Sequence, residues 1–216
     1  MIEQPDYREA CRNFDLPSTA DSVLGDTVSE LNAAVLCCDR HCGSNSIALH
    51  WRNDRGDAAD YSFEQLRDQS DRFAQVLRDL GVSPGDRVAC MLPRIPELVV
   101  CALAVWRLGA VYQPLFTAFG PKAIEHRVQT SGAIVIVTDV SNRAKLDDIA
   151  CPSKIVTVIA HGQATPAGDF DYHKEIAGRE PALQARVCSA DDPFLMMFTS
   201  GTTGPATVSY THLRAH

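Results

Sequence analysis

The sequence predicts an α/β fold, a mainly parallel sheet flanked by helices, and three observations carry that expectation. Strand-like and helix-like segments alternate from about residue 60 to 160, at the spacing of βαβ units. Several strand segments, AIVIVT at 133–138 among them, are continuous apolar runs, as strands covered on both faces would be. Gly81, Gly109 and Gly132 close the three helical segments between them.

In chain order, residues 1–25 hold no sustained period and read as an irregular lead-in. Thr27-Val28-Ser29-Glu30 fits a capping box, with Leu31, Ala34, Val35 and Cys38 on one helical face behind it. Ile47 to Trp51 reads as a short strand and 53–56 as a turn. Ser62-Phe63-Glu64-Gln65 is a second capping box. Its helix carries Leu66, Phe73, Val76, Leu77 and Leu80 on one stripe, and Asp68 can pair with Arg72 one turn on. After a turn at 83–86, Arg87 to Leu92 is a buried strand. Pro96 suits the first turn of a helix that runs to Gly109, and Ala110 to Pro114 is another strand. Pro121 opens a third helix, ended by Gly132 before the strand at 133–138. A helix near 142–149 and a strand at 155–159 follow. Residues 161–190 read as a surface connection with a short helix at 171–176, and Phe194 to Phe198 as a buried strand.

Composition narrows the function. Apolar residues make up 45% and charged residues 22%, which suits a packed core rather than disorder. A formal net charge of −7 argues against a nucleic-acid partner. The N-terminus lacks the basic start and apolar stretch of a signal peptide, and the most apolar run, Leu98 to Trp106, is too short to span a bilayer. A cytoplasmic protein without a transmembrane segment is expected. Among the eight cysteines, Cys90, Cys101 and Cys188 sit in or beside apolar runs as small core side chains. Cys37, Cys38 and Cys42 surround His41 and offer zinc-type donors, but Cys37 and Cys38 point to different sides of a helix end and no second ligand pair follows. The cluster reads as a helix end with buried thiols, and no metal ligand is assigned.

The chemistry is concentrated in Thr199, Ser200, Gly201, Thr202, Thr203 and Gly204, directly behind the apolar strand. Glycines let the backbone approach a ligand closely, consecutive backbone N–H groups form an anion-binding concavity, and hydroxyls add donors. The target of such a loop is a polyphosphate. It is neither a Walker loop, since no Gly-Lys occurs, nor a G-x-G-x-x-G fingerprint. On composition alone, a hairpin or surface turn remains the alternative.

FTSGTTGP resembles the phosphate-binding signature of the adenylate-forming superfamily, which includes AMP-forming acyl-CoA synthetases, peptide-synthetase adenylation domains and luciferases. YSFEQL (61–66), LGVSPGDRVACMLPRIPE (80–97), RLGAVYQPLF (107–116) and AFGPKAIEHRV (118–128) extend the resemblance, as do ALHW (48–51) and Asn142-Arg143. It is closest to the acetyl-CoA and short- or medium-chain acyl-CoA synthetase branch. The resemblance implies that residues 26–205 are part of an AMP-binding domain, the first subdomain of the large N-terminal domain, truncated. It implies that Thr199 to Gly204 contact the β- and γ-phosphates of ATP. A carboxylic acid would attack the α-phosphate, pyrophosphate would leave with Mg²⁺, and the acyl group would pass to coenzyme A. After Gly204-Pro205 the family has Pro-Lys-Gly where this chain has Ala206-Thr207-Val208, so a lysine charge near the phosphates is missing. Residues 206–216 read as a non-native tail, which would leave strand 194–198 with an open edge.

The family's adenine, ribose, magnesium and acyl determinants and its catalytic lysine lie further on than this chain extends. No catalytic residue is therefore named, and the chain alone is expected to be inactive. A peptide-synthetase-type adenylation domain, or a short non-catalytic nucleotide- or partner-binding module, are the rival readings. His126 and Arg127 read as solvated or paired, and Trp51 and Trp106 as core aromatics. Arg143 and Lys145 read as a solvated basic face, with the phosphates of coenzyme A as the alternative.

Overall fold

The computed structural model describes residues 6–15, 31–152, 154–159, 163–199 and 207–212. Tyr7–Asn13 is helix α1, which buries none of its residues. It lies within the stretch read as irregular, where no apolar period signals it. Ala33–Cys37 is α2. Its cap is Asn32, whose side chain accepts from the Ala34 N–H, and the capping box read at 27–30 falls outside the described residues. β1 (Ile47–Arg52) and β2 (Ala58–Ser62) form a separate antiparallel pair. The Asn53 side chain accepts from Arg55 N and Asp57 N to shape their turn.

α3 (Phe63–Asp79) starts on the expected capping box: Ser62 Oγ accepts from Gln65 N, and Gln65 Oε1 accepts from Ser62 N. Its stripe of Leu66, Phe73, Val76 and Leu77 is buried. Asp68 pairs with Arg67 rather than with Arg72, because the neighbouring guanidinium reaches it with two donors at 3.0 and 2.9 Å. β3 (Arg87–Met91), α4 (Pro96–Arg107), β4 (Val111–Pro114), α5 (Pro121–Ser131) and β5 (Val135–Asp139) then alternate as expected. Gly132 ends α5 with φ 62°, a left-handed cap that glycine adopts without strain.

The helix expected near 142–149 is shorter and earlier. Asp139 at the strand end accepts from Ser141 N and starts α6 (Val140–Arg143) at once, and a 3₁₀ turn over Ala144–Leu146 buries Leu146. β6 (Lys154–Val158) follows. The region read as a surface connection adds a two-residue strand, β7 (Phe170–Asp171), beside the expected helix α7 (Tyr172–Ile176), which Asp171 caps. β8 (Pro193–Thr199) and β9 (Thr207–His212) complete the described chain.

The main sheet has seven strands in the order β7-β6-β5-β3-β4-β8-β9. Every neighbouring pair is parallel except β8–β9. Its continuous apolar runs follow from the two-residue period of a strand. Val88, Cys90, Val135, Val137, Val156 and Val158 point into the core beneath α3 and α4. The intervening Ala89, Met91, Ile136 and Ile155 point into a second core with Ile124 and Val128 of α5. Both faces are covered, so both register positions are mostly apolar, and the polar exceptions Gln113, Thr138 and Thr157 are themselves buried.

β8 departs from the buried reading. Met196 is 1% exposed but Met197 is 48% exposed, Thr199 is exposed, and the rest of the strand is half-buried. Its outer edge is not open either: residues 207–212 occupy it, with Thr199 opposite Thr207.

Candidate functional site

Parallel sheets present their ligand crevices at the carboxyl ends of the strands. Here β4 and β8 carry the expected loop to that end. β8 aligns with β4 through Tyr112 opposite Leu195 and is fixed from the helix layer by Trp106, whose indole N–H donates to the Phe194 carbonyl at 2.9 Å. Trp106 also meets the rings of Phe194 and Tyr112 edge-on. It thus packs against the core as expected, half-buried, and also clamps β8. Trp51 is likewise half-buried, with its N–H on the Arg94 carbonyl at 2.8 Å.

Thr199 is the last residue of β8 and is exposed at its carboxyl end. Ser200, Gly201, Thr202, Thr203 and Gly204 lie outside the described residues. The described structure therefore fixes where the loop leaves the sheet, at Thr199, and where the chain returns, at Thr207.

Beside that exit is a cavity of about 320 Å³, whose walls include Leu98, Phe116, Phe119, Arg127, Met197 and Phe198. Among the described residues its one charged wall is Arg127, which α5 projects over the Phe119 ring at 4.1 Å and toward the Phe198 ring at 5.6 Å. Arg127 was expected to be solvated or paired. It is instead half-buried against aromatic rings, and no carboxylate pairs with it among the described residues. Phe198 is 71 positions further along the chain than Arg127, so local sequence carries no signal for this contact. His126 is exposed, with its ring 6.3 Å from that of Phe198. Tyr112 also lines the cavity, and burial holds its phenol well above the ordinary range, so it stays protonated.

Arg143 and Lys145 form neither a solvated face nor a free phosphate cradle. Arg143 Nε and Nη2 donate to the buried Asp169 at 2.7 and 3.0 Å, and Nη1 donates to Asp147 at 2.7 Å. Asp169 is the main cause of a raised Arg143 pKa. Lys145 Nζ donates to the Thr117 carbonyl and to Asn142 Oδ1, which ties down the loop carrying Phe116 and Phe119. Asp147 and Asn142 are local acceptors, but Asp169 and Thr117 lie 26 and 28 positions away, beyond what the local sequence shows.

At the cysteine cluster, Cys37 is exposed and Cys38 is buried, as the helix-end reading expects. Burial, reinforced by Asp39, pushes the Cys38 thiol up to about 12, and its Sγ donates to the Phe63 carbonyl at 3.4 Å. A thiol held protonated is a poor metal ligand. Among the described residues no group of three or more His, Cys, Asp or Glu is placed to hold a metal.

The family model described as AMP-binding enzyme matches residues 38–215. The acetyl-coenzyme A synthetase of Pseudoalteromonas translucida is 33% identical over 196 residues, covering 81% of this chain and 30% of that protein. That of Bacillus subtilis is 33% identical over 214 residues, covering 95% and 37%. The crystal structure of a Brucella canis acyl-CoA synthetase superposes with a TM-score of 0.92 at 41% identity, covering 97% of this chain and 38% of that one. The chain thus spans about a third of the length of these proteins. With a family match over most of its length and the same α/β architecture, the chain belongs to the AMP-binding enzyme family.

Proposed function

We propose that this chain is the N-terminal part of an ATP-dependent acyl-CoA synthetase, and that Thr199, Ser200, Gly201, Thr202, Thr203 and Gly204 are its phosphate-binding loop. The observation that carries this reading is the exit of the loop from β8 at the carboxyl end of a parallel sheet, within the matched family region. In the parent protein a small carboxylic acid is activated as an acyl-adenylate and passed to coenzyme A. The nucleophile and the thiol both come from substrates, so the loop's own task is electrostatic. Its backbone N–H groups and hydroxyls hold the charge that builds on departing pyrophosphate. Mg²⁺, arriving with ATP, neutralises part of the same charge; no residue described here is assigned to it.

A peptide-synthetase-type adenylation domain would share the loop and differ in the acceptor thiol. The relatives named above, acetyl-CoA and acyl-CoA synthetases, favour coenzyme A. A cytoplasmic location goes with this reading. Among the described residues no helix is long and apolar enough to cross a membrane.

The test is carboxylate-dependent exchange of labelled pyrophosphate into ATP. The parent protein is expected to catalyse it, with acetate and other short acids as first substrates, and to form the thioester when coenzyme A is added. The isolated 216-residue chain is expected to be silent. Exchange without thioester formation would favour the carrier-protein rival. Absence of exchange by the parent with any acid would leave the non-catalytic module as the better account.

A further inference from the structure

We propose that helix α1 is a docking element, whose Tyr7, Cys11 and Phe14 side seats on the part of the parent protein that lies beyond this chain. The inference rests on the reading of this chain as the N-terminal part of a longer protein. Little within the chain itself holds α1 in helical form. It has seven residues, where an isolated helix shorter than about 12–15 is marginal in water. Asp6 at its N-cap makes no side-chain cap bond among the described residues. Glu9 in the first turn and Arg12 in the last suit the helix dipole, which is a small contribution at an exposed site. Short helices in proteins are held chiefly by packing an apolar face. Here every residue from 6 to 15 is exposed, Tyr7 at 80% and Phe14 at 61%. Their arrangement is nonetheless one-sided. Tyr7, Cys11 and Phe14 stand at i, i+4 and i+7, too few for a sustained period but on one side of a helix, and Arg8, Glu9 and Arg12 fall on the others. This is the spacing of anchors by which a helix docks on an apolar surface.

Two observations choose the occupant. The superposition on the Brucella canis acyl-CoA synthetase takes in 97% of this chain, which leaves out 3% of 216 residues, about six. The ten residues 6–15 therefore cannot lie wholly outside it. The same superposition takes in only 38% of that protein, so a segment placed alike there has most of a longer chain available to cover it. The second observation is size. A Tyr and a Phe bury about 150–250 Å² each, well short of the roughly 800 Å² per partner of a stable interface between separate molecules. A patch this small holds within one chain, where the tether supplies a high effective concentration, and not between free copies.

The test is hydrogen–deuterium exchange, read by peptide mass over residues 6–15 in the 216-residue chain and in the parent protein. In the 216-residue chain these amides are expected to exchange close to the rate of an unstructured peptide. In the parent they are expected to exchange about tenfold or more slower. Tyr7→Ser/Phe14→Ser is expected to abolish that protection and to lower the parent's unfolding midpoint by about 2 °C or more, while the midpoint of the 216-residue chain stays unchanged. Equal exchange in the two wild-type proteins would overturn the proposal. So would protection in the parent that grows with protein concentration, which reports a second copy as the occupant. Carboxylate-dependent pyrophosphate exchange by the wild-type parent, measured alongside, separates this inference from the reading beneath it. An active parent with an unprotected 6–15 segment overturns the docking alone. A silent parent with a protected segment overturns the synthetase reading and leaves the docking standing.

Discussion

Asp39→Ala is expected to destabilise the fold by about 3–5 kcal/mol, the cost of leaving one partner of a buried ion pair without the other. Arg107, at the end of α4, is 2% exposed, and both of its terminal amino groups donate to the Asp39 carboxylate while Nε donates to Ser70 Oγ at 2.9 Å. Asp39 keeps 21% of its side-chain surface and can recover some hydration alone. Arg107 cannot. The asymmetry predicts that losing the aspartate costs more than the desolvation of the pair alone would suggest. Urea unfolding followed by circular dichroism measures it. The double variant Asp39→Ala/Arg107→Met is expected to recover more than half of the loss, because an apolar chain of similar length removes the stranded charge. Additive losses in the double variant would show that the pair is not coupled.

Phe73→Ala is expected to cost about 3–5 kcal/mol as well, through a cavity rather than a charge. Phe73 is 0% exposed in the middle of α3 and packs on Tyr172, the first residue of α7, with ring centroids 4.8 Å apart. Tyr172 is 1% exposed and its hydroxyl is buried without a hydrogen-bond partner among the described residues. Its ring is confined on all sides and moves little to fill a void. The loss therefore falls near the upper part of the range for an aromatic truncation. Thermal unfolding reads it, and a loss below about 1 kcal/mol would show that α7 collapses onto α3.

These two sites also mark where sequence reading succeeds and stops. Phe73 was legible because it belongs to a stripe with Leu66, Val76 and Leu77 at helical spacing, and periodicity reports which face is inward. The capping box at Ser62, Pro at the start of α4 and α5, and Gly132 after α5 were legible because each acts on its own backbone. Asp39 and Arg107 are 68 positions apart, and nothing local says they meet. Arg127 with Phe198, and Lys145 with Thr117, were hidden for the same reason. The Asp68–Arg72 pair was read from spacing alone and lost to the adjacent Arg67. Exposed helix α1 has no apolar period to reveal it. For the site, Thr199 is placed at the end of β8 while Ser200 to Gly204 lie outside the described residues, and the half-buried state of that strand was not legible from the apolar run FLMMF.

In the proposed function, the 199–204 loop carries the charge of departing pyrophosphate in the parent protein. The most direct measurement is carboxylate-dependent pyrophosphate exchange by the parent protein carrying Gly201→Val or Thr202→Ala. A loss of about a hundredfold or more is expected for the valine, which blocks close approach of the backbone. A smaller loss is expected for the alanine, and unfolding midpoints are expected to stay unchanged in both. Exchange rates within about twofold of wild type in both variants would contradict it.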